Sequence, residues 1–254
     1  MNRAVKINLI REKLRNGVVS IGTWMQIPHP SIAEILGQSG FDWVAVDLEH
    51  GSIGNHQLPD IYRALDLGSA LPLVRLLEGS DSACKQALDS GAGGVIVPMI
   101  ETEEQLIQVR DACRWPPSGK RGVGFSRANL FGKSFEDYQK EAQNPILVAM
   151  IENVKALANL DKIFSVNGLD AIMVGPYDLS ASLGVTADFE AAVFKDAMKE
   201  ILCKANERRI ASGIHVVSPE ISQLSSRIKE GYKFIAYSID ALFIRSGAED
   251  PFKK

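Results

Sequence analysis

A (β/α)8 barrel is the fold class this sequence predicts, and three observations predict it. Eight short runs rich in β-branched residues alternate with longer helical patterns from end to end. The 254 residues suffice for eight such units in one domain spanning 1–254. Titratable side chains collect where the runs finish, the end at which a barrel carries its chemistry. A doubly wound parallel sheet shares the alternation and stands second, since periodicity does not encode strand order.

The strand candidates are VSIGTWM (19–25), FDWVAVDLE (41–49), LPLVRL (71–76), GGVIVPMI (93–100), ILVAMIE (146–152), LDAIMVGP (169–176), IASGIHV (210–216) and YKFIAYSID (232–240). Between them lie HPSIAEILGQSG, LPDIYRALDLGS, DSACKQALDSG, TEEQLIQVRDACRW, NVKALANLDKIFSV and DFEAAVFKDAMKEILCKANERR, which read as helices, several closed by glycine. Residues 116–144 form an unusually long connection rich in Gly and Arg, the kind of loop that carries function. The closing segment ALFIRSGAEDPFKK is short for an eighth helix, so a neighbouring subunit is expected to cover that side.

Composition narrows the function classes. The chain is 46% hydrophobic with a net charge of -3 and basic residues spread along its length, which gives no footprint for nucleic acid or an anionic membrane. Its longest apolar runs are strand-sized, far short of the ~20 residues of a membrane span. The start, MNRAVKINLIREKLRNG, is basic and amphipathic without a signal-peptide core, and the expected location is cytoplasmic. Cys84, Cys113 and Cys203 are odd in number and widely spaced, which reads as reduced, buried thiols.

The charges at the strand ends carry the functional argument. Strand two ends in Asp47, Glu49 and His50, strand three carries Arg75, and strand five ends in Glu152. Strand six runs into Gly175, Pro176, Tyr177 and Asp178, strand seven ends at His215 and strand eight at Asp240. Alternation in DWVAVDLE sets Ala45, Asp47 and Glu49 on one face and Val44, Val46 and Leu48 on the other. Inward carboxylates are costly unless paired, metal-bound or wet.

A Schiff-base mechanism needs a desolvated strand lysine, and the sole strand lysine, Lys233, lies at the entry end of strand eight. GAGGVIVP (91–98) does not complete a dinucleotide fingerprint, and no phosphate-binding P-loop is present, so no nucleotide is expected. Glu152 and Asp178 on adjacent strands suit a hard cation such as Mg2+ or Mn2+, with substrate oxygens and waters filling about six positions. A salt-bridge network with Arg75 is the structural rival for the same carboxylates.

The segments DLEHG, LVRL, PMIET, KRGVG, MIEN and GPYDLSASLG, in this order, resemble the metal-dependent pyruvate aldolases of the HpcH/HpaI family across nearly the whole chain. The resemblance implies a barrel of the phosphoenolpyruvate/pyruvate type and a class II aldolase that cleaves or forms 4-hydroxy-2-oxo acids through a pyruvate enolate. It makes Glu152 and Asp178 the metal ligands, for Mg2+ or Mn2+ with Co2+ as a third option. By the same matching, His50 is the base, Arg75 stabilises the enolate and Asp89 tunes the histidine. Asp89 precedes strand four, near the opposite end of its own barrel, so it is expected to reach His50 from another subunit. Family members are oligomers with an exchanged last helix, and dimers assembling into trimers of dimers are expected. Met150 stands where some members place a glutamine, which alters the substrate contacts on that side.

Several residues complete the expected site. The N–H groups around Tyr177 and Asp178, where a helix begins after Pro176, are expected to meet the pyruvate carboxylate. Asp47 and Glu49 are expected to orient His50 or bound waters, Arg121 to bind a distal carboxylate or phosphate, and Trp24 to pack beside the pocket. His29, His56 and His215 are read as helix-start, loop and rim residues. Two rival functions stay open: a CoA-ester lyase of the citramalyl or malyl type, and a catalytically silent oxo-acid-binding barrel.

Overall fold

The computed structural model of the protein describes residues 2–248 and Phe252. Its eight strands are β1 (Ser20–Met25), β2 (Trp43–Asp47), β3 (Leu71–Arg75), β4 (Gly94–Val97), β5 (Ile146–Ile151), β6 (Ala171–Val174), β7 (Ala211–Val216) and β8 (Phe234–Ile239). All pair in parallel, each with the next, and β8 closes on β1. Closure in sequence order excludes the doubly wound alternative and leaves no open edge.

Helices alternate with these strands. They are α1 (Arg3–Arg15), α2 (Pro30–Gln38), α3 (Leu58–Leu65), α4 (Asp81–Asp89), α5 (Glu103–Cys113), α6 (Phe135–Glu141), α7 (Val154–Ala158), α8 (Leu160–Phe164), α9 (Pro176–Ser182), α10 (Ala192–Arg208), α11 (Ile221–Glu230) and α12 (Asp240–Gly247).

Period-two alternation sorts the strand side chains into two cores. Val44, Val46, Val74, Val95, Val97 and Ile151 face the helices, whereas Trp43, Ala45, Leu73, Ile96, Val148, Met150 and Ala236 fill the barrel. Trp43 stacks on Phe234 with ring centroids 4.3 Å apart. Ile7 and Ile10 of α1 join this interior cluster, so the first helix plugs the N-terminal end of the barrel. Lys6 fastens the plug by donating to the carbonyls of Gly68 and Ala70, both at 3.0 Å. A pore is therefore excluded, and chemistry has only the opposite end.

Four details refine the sequence reading. Residues 116–144 are not structureless: a 3-10 turn at Arg127–Gly132 and α6 pack against Trp115, whose ring lies 5.1 Å from that of Tyr138. The helix expected over NVKALANLDKIFSV breaks at Asn159 into α7 and α8, because Asn159 leaves helical geometry and its side-chain amide donates to the Glu101 carbonyl. Cys84 and Cys113 are buried free thiols, but Cys203 is exposed on α10. The closing segment forms α12 through Gly247, and its expected continuation over Glu249, Asp250, Pro251, Lys253 and Lys254 lies outside the described residues. No helix among the described residues is long and apolar enough to cross a membrane.

Candidate active site

Asp47 ends β2 and organises the turn after it. Its buried carboxylate accepts the backbone N–H of Glu49 at 3.1 Å and of His50 at 3.3 Å through Oδ1, a local turn that stops the strand. Glu49 and His50 thereby leave the sheet at the barrel mouth instead of continuing its alternation. Register sets Asp47 directly beside Arg75 on β3. The guanidinium meets both Asp47 oxygens, Nε to Oδ1 at 2.9 Å and a terminal nitrogen to Oδ2 at 2.7 Å. Its other terminal nitrogen is 3.1 Å from Glu49. Burial alone would push Asp47 up, but the hydrogen bonds and charge of Arg75, with help from Gln26 and the His50 N–H, hold it below the usual carboxylate range.

Arg75 is fixed on a third side by Trp24 of β1, whose ring lies 4.5 Å beneath the guanidinium carbon. Trp24 in turn meets His215 edge-on at 6.0 Å. His215 faces the interior near the end of β7, with Nε2 at 3.2 Å from the Ser238 carbonyl. Burial pushes its pKa down to about 4, so the ring is neutral near pH 7. The rim assignment for His215 therefore needs correcting. Its parity with Ala211, an interior residue of the same strand, was the signal available in the sequence. His29 and His56 lie where expected, His29 as the N-cap of α2 and His56 in a loop turn.

Glu152 follows β5 and is buried, and its Oε2 accepts the Met99 backbone N–H at 3.0 Å. Its other oxygen packs against Gly175, where any Cβ would collide with the carboxylate, so this glycine leaves room for it. Burial first, then the negative charges of Glu49 and Asp178, push Glu152 up to about 7. Burial also raises Glu49, against the pull of Arg75. Asp178 lies in the first turn of α9, two residues after Pro176 at the helix start, and is exposed at the mouth with Tyr177. Met150 is buried inside the barrel beside Met173, an apolar floor below the carboxylates.

The donor set suits a hard divalent cation. Glu152 and Asp178 offer only oxygen, and Glu152 sits in a surplus of negative charge that a cation would relieve. Among the described residues no three His, Cys, Asp or Glu side chains gather as a metal cage. Remaining ligands would thus come from substrate and water.

Two expected residues lie elsewhere in the chain. Asp89 is the last residue of α4, and its neighbour is Arg121, with Nη1 at 3.5 Å. Burial raises Asp89, against the charges of Arg121 and Lys85. Arg121 is buried and donates to the Tyr138 hydroxyl at 2.9 Å, so within one chain it packs in the helix layer and does not line the mouth. Sequence reasoning missed Gln26, whose amide donates to Asp47 at 2.8 Å, and the Met99 N–H, held by a left-handed backbone at φ 54°. Gln26 carries no charge or motif, and Met99, although within PMIET, acts through its backbone N–H, which its side chain does not announce.

Comparison with known proteins agrees with this fold. Residues 20–246 match the model of the HpcH/HpaI aldolase/citrate lyase family. The chain is 35% identical over 246 residues to a hydroxypyruvate/pyruvate aldolase of Roseobacter denitrificans, covering 95% of this chain and 94% of that protein. It is 35% identical over 245 residues to a 2-keto-3-deoxy-L-rhamnonate aldolase of Escherichia coli, covering 94% and 90%. It superposes on an HpcH/HpaI aldolase/citrate lyase family protein from Burkholderia cenocepacia with a TM-score of 0.88 and 28% identity, covering 94% and 96%. The chain therefore belongs to the HpcH/HpaI aldolase/citrate lyase family, as a (β/α)8-barrel carbon–carbon lyase.

Proposed function

We propose that the protein is a class II pyruvate aldolase, cleaving or forming 4-hydroxy-2-oxo acids from pyruvate and an aldehyde at the mouth of the barrel. The observation that carries this reading is the Glu152 carboxylate, buried amid other carboxylates opposite a guanidinium held rigid by Asp47 and Trp24. When bound by Glu152 and Asp178, Mg2+, Mn2+ or Co2+ supplies Lewis-acid polarisation of the 2-oxo group.

The chain's own residues then divide the work. First-turn N–H groups at Tyr177 and Asp178 orient the substrate carboxylate. His50, exposed at the mouth, takes the 4-hydroxyl proton, the C3–C4 bond breaks, and its electron pair passes into the enolate. Arg75 stabilises the enolate oxygen as a permanent charge in a fixed direction. A proton delivered to C3 then gives pyruvate. Buried Trp24 and Met150 with half-buried His215 form an apolar-sided, neutral wall beneath the reacting atoms.

Asp89 reaches His50 only from a second subunit, because its own chain holds it at the end of α4. A homo-oligomer, trimers of dimers, is part of this reading, and Arg121 accompanies Asp89 to any shared face. Pyruvate release from 4-hydroxy-2-oxo acids, coupled to lactate dehydrogenase, tests the proposal. Release that stops with EDTA and returns with Mn2+ or Mg2+ supports it. Turnover of CoA thioesters without pyruvate release would replace it.

A further inference from the structure

At the N-terminal end of the barrel, opposite the candidate active site, a cavity of about 530 Å3 opens beside Asn144, Gly168 and Asp170. Four arginines line it: Arg11, Arg15, Arg114 and Arg209. Among the described residues the one carboxylate in its wall, Asp170, is already held by Arg11 through bonds of 2.7 and 2.9 Å. Among the described residues, Arg15, Arg114 and Arg209 make no ion pair within the chain. The C-terminal ends of α1, α5 and α10 point here, each contributing about half a negative charge. Four guanidinium charges still exceed those three ends and Asp170 together.

Two local features seat these arginines. Arg114 donates to neutral acceptors, Asn144 Oδ1 at 3.0 Å and the Gly168 carbonyl at 3.2 Å. It lies across Gly168, at φ +91°, where a Cβ would collide with the guanidinium. Arg209 ends α10 at φ 57° and ψ 34°, a left-handed position that glycine usually fills. An arginine there accepts strain to direct its side chain into the cavity wall. Burial chiefly, with the charges of Arg110 and Arg11 and against that of Asp170, lowers the Arg114 pKa.

We infer that this cavity binds a small, multiply charged oxyanion, a phosphate ester or a polycarboxylate, through Arg15, Arg114 and Arg209. Guanidinium forks match such oxygens in pairs, and the volume suits a metabolite. On a chain of net charge -3 the cavity is a local positive well. The proposal is independent of the aldolase reading, since no residue is shared with the barrel mouth.

Calorimetric titration of the protein, without added divalent metal, with inorganic pyrophosphate and, separately, tricarballylate tests it at physiological ionic strength. Saturable binding is expected, weakened roughly tenfold in Arg209→Gly and further in Arg15→Ala/Arg209→Gly. Arg209→Gly relieves the left-handed strain, so its melting temperature should hold or rise, separating lost binding from lost folding. Arg208→Ala is the control, because Arg208 is engaged by Asp161 at 3.2 Å and should leave binding unchanged. Pyrophosphate binding alone assigns a phosphate ester, and tricarballylate binding alone a polycarboxylate. No saturable binding by either probe, or equal affinity in the double variant and the parent protein, overturns the inference.

Discussion

Arg75 and Asp47 stand side by side at the ends of β3 and β2, joined by two parallel hydrogen bonds of 2.9 and 2.7 Å. The pair fixes the direction of the guanidinium that faces the carboxylate cluster. A lysine at position 75 would keep the charge but lose both the fork and the stack on Trp24. Arg75→Lys is expected to lower kcat by about 10²- to 10³-fold with a smaller effect on KM, measured by steady-state pyruvate release. An unchanged kcat would leave Arg75 with a structural role only.

The negative surplus around Glu152 makes a stability prediction. A carboxyl raised to about 7 from 4.5 holds more protons folded than unfolded between those values, so the metal-free protein gains stability as pH falls through that window. Above pH 7 the same burial costs the EDTA-treated protein up to about 3 kcal/mol. Glu152→Gln should therefore match or exceed the parent in metal-free melting temperature, yet lose the rise that Mn2+ produces. Calorimetry with and without EDTA checks both halves.

His215 has the opposite sign. Its folded pKa of about 4 lies below the unfolded 6.5, so the unfolded chain binds more protons between them. Its contribution is intact above pH 6.5 and lost as pH falls toward 4, with a slope of up to about 1.4 kcal/mol per unit. Because Glu152 pulls the other way, the difference between the parent and His215→Asn isolates the histidine. That difference should shrink steadily with falling pH in urea unfolding, and a flat difference would contradict a buried neutral ring.

Much of the barrel and its mouth is legible in the sequence. The alternation of VAV with Asp47 locates the inward face of β2, and the cluster of charges after strands two, three, five and six marks the mouth. Such signals survive because strand parity and barrel polarity are geometric rules. The Asp47 turn that lifts Glu49 and His50 out of the sheet is not legible, because it depends on two side-chain-to-backbone bonds. Gln26 and the Met99 N–H act through one hydrogen bond each, and α6 is set by Tyr138 packing on Trp115 across the fold. Arg121 shows the converse, a loop arginine whose motif draws notice but whose side chain is buried against Tyr138 and Asp89.

Hydrogen exchange at the pyruvate methyl group reads enolate formation without knowledge of the aldehyde. The dialysed protein would be incubated with pyruvate in D2O and the methyl signal followed by NMR, with EDTA and then with added Mn2+ or Mg2+. Exchange is expected to require the metal and to fall about 10²-fold or more in His50→Ala. Absence of exchange with every metal, in a protein that remains folded, would contradict enolate formation.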